Sequence, residues 1–164
     1  MTVMDRTVLT TELRIEVQEF YFRYAECLDT GRLKNWPDFF LDSSAYRVAA
    51  RRRLRMGPQE DLVSIGTRTA MRDHVVAIGQ SEDYEPHAQR HYISNFRILS
   101  AAEDELRVQA NFQILRTFRE RPTEFFLSGY YLDRIAVSVS RLHFREKLCV
   151  LDAEVSPESL VHPI

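Results

Sequence analysis

From Leu106 to Ile114 apolar and polar residues alternate one for one. Leu106, Val108, Ala110, Phe112 and Ile114 fall on one side, and Arg107, Gln109, Asn111 and Gln113 on the other. A period of two fits an extended strand with one dry face and one wet face. Leu142, Phe144, Leu148 and Val150 alternate again, and residues 90–99 read as a further strand. Residues 124–137 are apolar on both faces, as expected of a central strand. The connections, 100–105, 120–123 and 138–140, are short, so these strands are expected to be antiparallel neighbours.

The first half has a different period. Leu13, Val17, Phe20, Tyr21, Tyr24 and Leu28 recur at three- and four-residue spacing, which predicts a helix from Thr11. Thr10 or Thr11 can cap its start, and Gly31 suits a left-handed residue after its end. A short helix follows Asn35, with Pro37 in its first turn. Residues 44–50 read as a strand, 51–58 as a loop, and 69–78 as a helix burying Met71, Val75 and Ile78. Helices followed by a long antiparallel meander predict an α+β fold over residues 1–164 as a single domain. A curved antiparallel sheet wraps around the N-terminal helices to make a cone with one open mouth.

Composition narrows the chemistry. With 164 residues, of which 45% are hydrophobic, the chain can bury a substantial core. A net charge of -2 argues against nucleic acid as a partner. The apolar runs are too short to span a bilayer, and no secretory leader is visible, so a cytoplasmic protein is expected. The five glycines are too scattered for a phosphate-binding loop or a nucleophile elbow. Cys27 and Cys149 form no paired motif and are expected as free thiols.

Scattered polar side chains supply five candidates. Asp83, His87 and His91, with Glu82 and Glu85 nearby, could be metal ligands. Pro86 interrupts them, and a loop leading into a strand is the favoured reading. Tyr24, Asp29, His74 and His91 are candidates for acid–base catalysis inside the cone. The plainer reading is a packed tyrosine, an aspartate at the helix end and histidines facing water. Arg116 and Glu146 each interrupt an apolar strand face and are expected to form a buried ion pair. Arg51, Arg52, Arg53 and Arg55 form a basic loop, read as a solvated or partner-docking surface. The apolar tail, with Leu160 and Ile164, is expected to pack on its own domain or on another subunit.

Several segments, in order and spacing, carry a family resemblance. They are Phe20-Tyr-x-Tyr-Ala-x-x-Leu-Asp29, Trp36-Pro-x-Phe-Phe40, Tyr46-Arg47 and Met71-Arg-Asp73. Arg90-His-Tyr-Ile-Ser-Asn95, Asn111-Phe-x-x-x-Arg-Thr117, Gly129-Tyr-Tyr-Leu-Asp-Arg134 and Leu148-Cys-Val-Leu-Asp152 follow. Over nearly its whole length the chain resembles the small (beta) subunit of bacterial Rieske-type aromatic ring-hydroxylating dioxygenases. The resemblance implies a cone-shaped fold of the nuclear transport factor 2 and scytalone dehydratase group. It implies a structural subunit, self-associated as a trimer and bound to an iron-containing alpha subunit. The Rieske 2Fe–2S cluster and the mononuclear iron are expected on alpha, with no catalytic, cofactor or metal residue on this chain. Enzymes acting on aromatic carboxylates, such as salicylate, terephthalate or benzoate, are the nearest in kind. The competing expectation is a stand-alone dehydratase or isomerase using Tyr24, Asp29, His74 and His91. A third is an interaction module whose cone is filled by side chains.

Overall fold

The computed structural model describes residues 10–80, 85–138, 141–154 and 162–164. Helix α1 spans Thr11–Asp29, and Thr10 caps it by accepting the Leu13 N–H at 3.1 Å. Gly31, at φ 69°, takes the left-handed conformation that turns the chain away. A 3-10 turn, Leu33–Phe39, seats Trp36 and Pro37 in the core. Strand β1 (Phe40–Ala50) leads through two short 3-10 turns, Arg53–Met56 and Pro58–Glu60, to β2 (Val63–Ile65). Helix α2 (Arg68–Gly79) follows, capped by Thr67. Strands β3 (His87–Ala101), β4 (Glu105–Phe118), β5 (Glu124–Val137) and β6 (Leu142–Leu151) complete the sheet.

The strand order is β2-β1-β6-β5-β4-β3. The β3–β6 meander is antiparallel, as the short loops require. Strand β1 returns to lie parallel to β6, which corrects the expectation of a wholly antiparallel sheet. The strand missed in the sequence, β2, is three residues long and too short to carry a period.

Helix α1 covers one face of the sheet. Val17, Phe20, Tyr21, Tyr24 and Leu28 pack there against inward residues of β1, β4, β5 and β6, among them Tyr46, Phe112, Tyr131 and Phe144. The opposite face carries a second apolar cluster: Ala49, Leu148 and Val150, with Leu54, Tyr130 and Leu132 packed against it.

The register shift between β5 and β6 decides which residues lie on which face. Ile135 pairs with Phe144 but Arg134 pairs with Glu146, so Arg145 is the extra residue of a bulge. One extra residue inverts the alternation beyond it. Phe144 faces the core, and so do Lys147, Cys149 and Leu151; Leu148 and Val150 belong to the outer cluster.

This overturns the expected Arg116–Glu146 pair. Strand β5 separates β4 from β6, and Arg116 lies opposite Glu124 whereas Glu146 lies opposite Arg134. Ten residues of β5 separate those positions, about 33 Å of strand. Arg116 pairs with Glu124 at 3.0 Å and lies over the Phe126 ring. Glu146 instead accepts from Arg47 at 2.8 Å.

Candidate functional site

In a cone closed by α1, chemistry would be sought between the helix and the sheet. Of the four acid–base candidates, Asp29 and His91 meet. The Asp29 carboxylate, at the end of α1, accepts the His91 backbone N–H at 3.0 and 3.1 Å and contacts His91 Nδ1 at 2.6 Å. His91 is buried, and its Nε2 has no hydrogen-bond partner among the described residues. The plainer reading of an exposed histidine is therefore corrected. β3 is an edge strand, and an unpaired edge N–H invites association with another chain. Asp29 occupies that N–H, which gives it a structural task independent of catalysis.

The other two candidates lie elsewhere. Tyr24 donates its hydroxyl to the Ile164 carbonyl at 2.9 Å and accepts the Trp36 indole N–H at 3.2 Å. His74 is half-buried on α2, close enough to His162 to lower that group's pKa. His162, whose ring is 5.5 Å from that of His87, is held down to about 4, mainly by burial.

The metal reading fails on strand geometry. His87 and His91 are both on β3, four residues apart and therefore about 13 Å apart along the strand. One ion cannot span them. Asp83 and Glu82 lie outside the described residues. Among the described residues no group of three or more His, Cys, Asp or Glu stands where it could hold a metal ion. Nor does the donor set suit an iron–sulfur cluster. Cys27 donates to the Arg32 carbonyl and Cys149 to that of Ile164. Burial pushes the Cys149 thiol up to about 12, far from the thiolate a cluster needs.

The centre of the cone is occupied by an ion pair that the sequence reading missed. Lys147 Nζ lies 3.2 Å from Asp133 Oδ2, and both side chains are wholly buried. Tyr21 donates to the same carboxylate oxygen at 2.6 Å, and the Leu148 N–H donates to the other at 3.2 Å. The ammonium lies 3.2 Å over the Tyr131 ring and within 5.3 Å of the centroids of Tyr24, Phe144 and Tyr21. Cation–π attraction and the carboxylate together offset the loss of water. Burial holds the Asp133 carboxyl above the ordinary carboxylate range, with Lys147 the chief opposing influence. The signals in the sequence are a lysine next to the apolar run Leu148–Leu151 and an aspartate, Asp133, within the strand at 124–137; without the bulge the direction of Lys147 is unreadable.

Ile164 is wholly buried. Its N–H donates to the Tyr46 hydroxyl at 3.0 Å, and its carbonyl takes the Tyr24 hydroxyl. Ile164 is thus spent inside its own chain, which corrects its candidacy as a subunit contact; Leu160 lies outside the described residues. The arginine loop is exposed. Arg51 pairs with Asp152 and Arg52 with Glu154, while Arg53 and Arg55 make no ion pair among the described residues.

Comparison with known proteins agrees with this geometry. The small subunit of anthranilate 1,2-dioxygenase from Burkholderia cepacia is 24% identical over 158 residues, spanning 95% of this chain and 98% of that one. The beta 1 subunit of the terephthalate 1,2-dioxygenase terminal oxygenase from Comamonas is 27% identical, spanning 92% and 97%. A crystal structure described as the beta subunit of an aromatic-ring-hydroxylating dioxygenase from Novosphingobium aromaticivorans superposes with a TM-score of 0.83. It is 25% identical and the match covers 92% of this chain and 95% of that one. The resemblance read from the sequence is thereby borne out. The SnoaL-like domain matches residues 10–145, so a helix-lined cone, here filled by its own side chains, is what this chain has as a member of the SnoaL-like family.

Proposed function

We propose that this chain is the beta subunit of a multicomponent aromatic ring-hydroxylating dioxygenase, working in the cytoplasm as a structural component. The observation that carries the reading is the end-to-end correspondence with small subunits, 97–98% of whose length is matched. The packed interior supports it: a Lys147–Asp133 pair, four aromatic rings around it and Ile164 are buried between helix and sheet. In this reading the Rieske cluster and the mononuclear iron belong to a larger alpha subunit, and this chain has no active site of its own. Its task is to hold alpha subunits in fixed mutual orientation, as a trimeric platform. The relatives' names, anthranilate, terephthalate and p-cumate, are all benzene-ring carboxylates, so an aromatic carboxylate is the proposed substrate class of the whole enzyme.

The one observation favouring a stand-alone enzyme is the Asp29–His91 contact. It lacks the rest of a catalytic set, because Tyr24 is committed to Ile164 and His74 to another part of the fold.

The test is co-expression with an iron-containing alpha chain of such a dioxygenase from the same source. The expected result is a colourless, inactive chain alone and a coloured iron–sulfur complex when both are present. A chain that never joins such a complex overturns the reading.

A further inference from the structure

Three imidazoles from three separate parts of the chain meet at one place. His74 comes from α2, His87 is the first residue of β3, and His162 belongs to the tail. The His87 and His162 rings are 5.5 Å apart and tilted by 38°. His74 is near enough for its charge to bear on His162. All three are half-buried. Imidazole is the side chain that ordinarily gains a charge between about pH 8 and pH 5, so the cluster can pass from three neutral rings to adjacent cations in that range.

The groups around His162 are these. From β3 it faces His87, whose Nδ1–H donates to the Glu85 carbonyl at 2.9 Å and whose Nε2 accepts from the Gln89 amide at 3.1 Å. Those two contacts select the neutral ring with its proton on Nδ1; a second proton, on Nε2, meets the amide nitrogen of Gln89. The Glu85 carboxylate is taken by Arg121. From α2 it faces His74, and Arg72 on that helix pairs with Asp38. Beside the His162 ring runs a groove of about 550 Å³ with an apolar floor of Leu33, Val75 and Ile78, and the charged side chains lining it are Arg32 and Lys34. Burial, His87 and His74 all push the His162 pKa down.

Two residues further on, the chain is anchored in the core. The Ile164 N–H donates to the Tyr46 hydroxyl at 3.0 Å. Its carbonyl accepts the Tyr24 hydroxyl at 2.9 Å and the Cys149 thiol at 3.4 Å. Tyr24, Tyr46 and Cys149 lie on α1, β1 and β6, so one residue ties three elements together. Pro163 joins His162 to Ile164 and is itself buried. Its ring fixes φ, which makes the link stiff. A displacement of the imidazole is therefore passed on to the anchor, and the open groove gives the ring a path to water.

We infer that the three imidazoles form an acid-operated latch: protonation drives His162 away from His87 and His74 into the groove, and Ile164 leaves its seat between Tyr24 and Tyr46. At neutral pH the rings are packed and the anchor is held. As the pH falls the rings gain like charges, which repel at this separation. The sign follows from His162. Its pKa is about 4 in the docked tail against an ordinary 6.5, so the docked tail binds fewer protons than the released one. Docking is complete above about 6.5 and weakens as the pH falls from there toward 4. The latch is a property of this chain alone and does not depend on the proposed function.

Amide hydrogen exchange of the full chain, labelled with 15N-isoleucine and followed by NMR at pH 7 and pH 5, tests it. Rates are divided by the intrinsic exchange rate at each pH. Ile164 reports the anchor, and Ile114 and Ile135, on β4 and β5, report the sheet. Protection of the Ile164 amide is expected to fall about tenfold or more from pH 7 to pH 5, while Ile114 and Ile135 change less than about twofold. His162→Phe keeps a ring and removes the charge, and should leave Ile164 protected at both pH values. His162→Leu makes the same test should the larger ring disturb the fold. A wild type whose Ile164 protection does not fall overturns the inference, whatever the variants do. So does a fall shared equally by Ile114 and Ile135, which is loss of the whole fold. So does a His162→Phe or His162→Leu chain, folded by circular dichroism, in which Ile164 loses protection as the wild type does.

Discussion

Lys147 is the residue whose burial asks most of its surroundings. A lone ammonium in the core is untenable, and here a carboxylate and four rings answer it. Removing one partner is far worse than removing both, since the survivor keeps its desolvation penalty. Lys147→Met should therefore destabilise the chain by about 3–5 kcal/mol at pH 8, measured by urea unfolding. Adding Asp133→Asn should recover part of that loss. The pH dependence has a definite sign. Asp133 already sits above its ordinary value, and loss of Lys147 raises it further. The folded variant then takes up a proton that the unfolded chain, titrating near the usual carboxylate value, does not. The penalty of Lys147→Met should be full at pH 8 and shrink as the pH falls toward 5. A penalty that is flat across this range would mean that Asp133 does not bear the cost.

At the scale of elements, what was legible followed from periodicity. The sequence pattern places β5 at its observed limits, 124–137, the start of α1 at Thr11 and both ends of α2 within one residue, because an apolar face of fixed period has one geometry that buries it. Pairing between distant strands has no such local signature, so the parallel β1–β6 contact was invisible. The β6 bulge had the larger consequence. Reading straight alternation through Arg145 turned Glu146 inward and Lys147 outward, the reverse of what the structure holds. Opposite charges on inward faces do pair, but the bulge makes them Asp133 and Lys147 rather than Arg116 and Glu146. The bulge also leaves Glu146 outward, between Arg47 and, at 3.8 Å, Arg134. The β5–β6 pairing itself depends on Gly129. A Cβ there would stand 2.0 Å from the Val150 carbonyl oxygen and 3.0 Å from the Phe112 ring. Backbone cannot step aside as a flexible side chain can. Gly129→Ala should cost about 3 kcal/mol and loosen β6, read as faster hydrogen exchange at Tyr130 and Val150, the paired amides next to it, than at the β3–β4 amides. Uniform exchange across the sheet would show that the strands absorb the methyl group.

For the molecule as a whole, the question is what a cone becomes when its interior is filled. An enzyme on this fold needs an opening and room for a substrate; here Tyr21, Tyr24, Tyr131 and Phe144 meet around Lys147, and Ile164 is buried against Tyr24. These rings touch one another, at centroid separations such as 4.5 Å for Phe112–Tyr131 and 5.4 Å for Tyr24–Phe144. The isolated chain should therefore show no saturable stabilisation by aromatic carboxylates. A ligand with a Kd of about 10 μM, present at about 1 mM, would add about 2.7 kcal/mol. For a chain of this size that is roughly 5–10 °C in melting temperature. Benzoate, terephthalate and anthranilate at 1 mM should each leave the transition within about 1 °C of its position, on the same scale. A shift of several degrees with any of them would mean that the cone opens to admit a ring. Asp29 and His91 would then become the first residues to replace. If the transition stays fixed, the cone is a packed body that admits no free aromatic carboxylate.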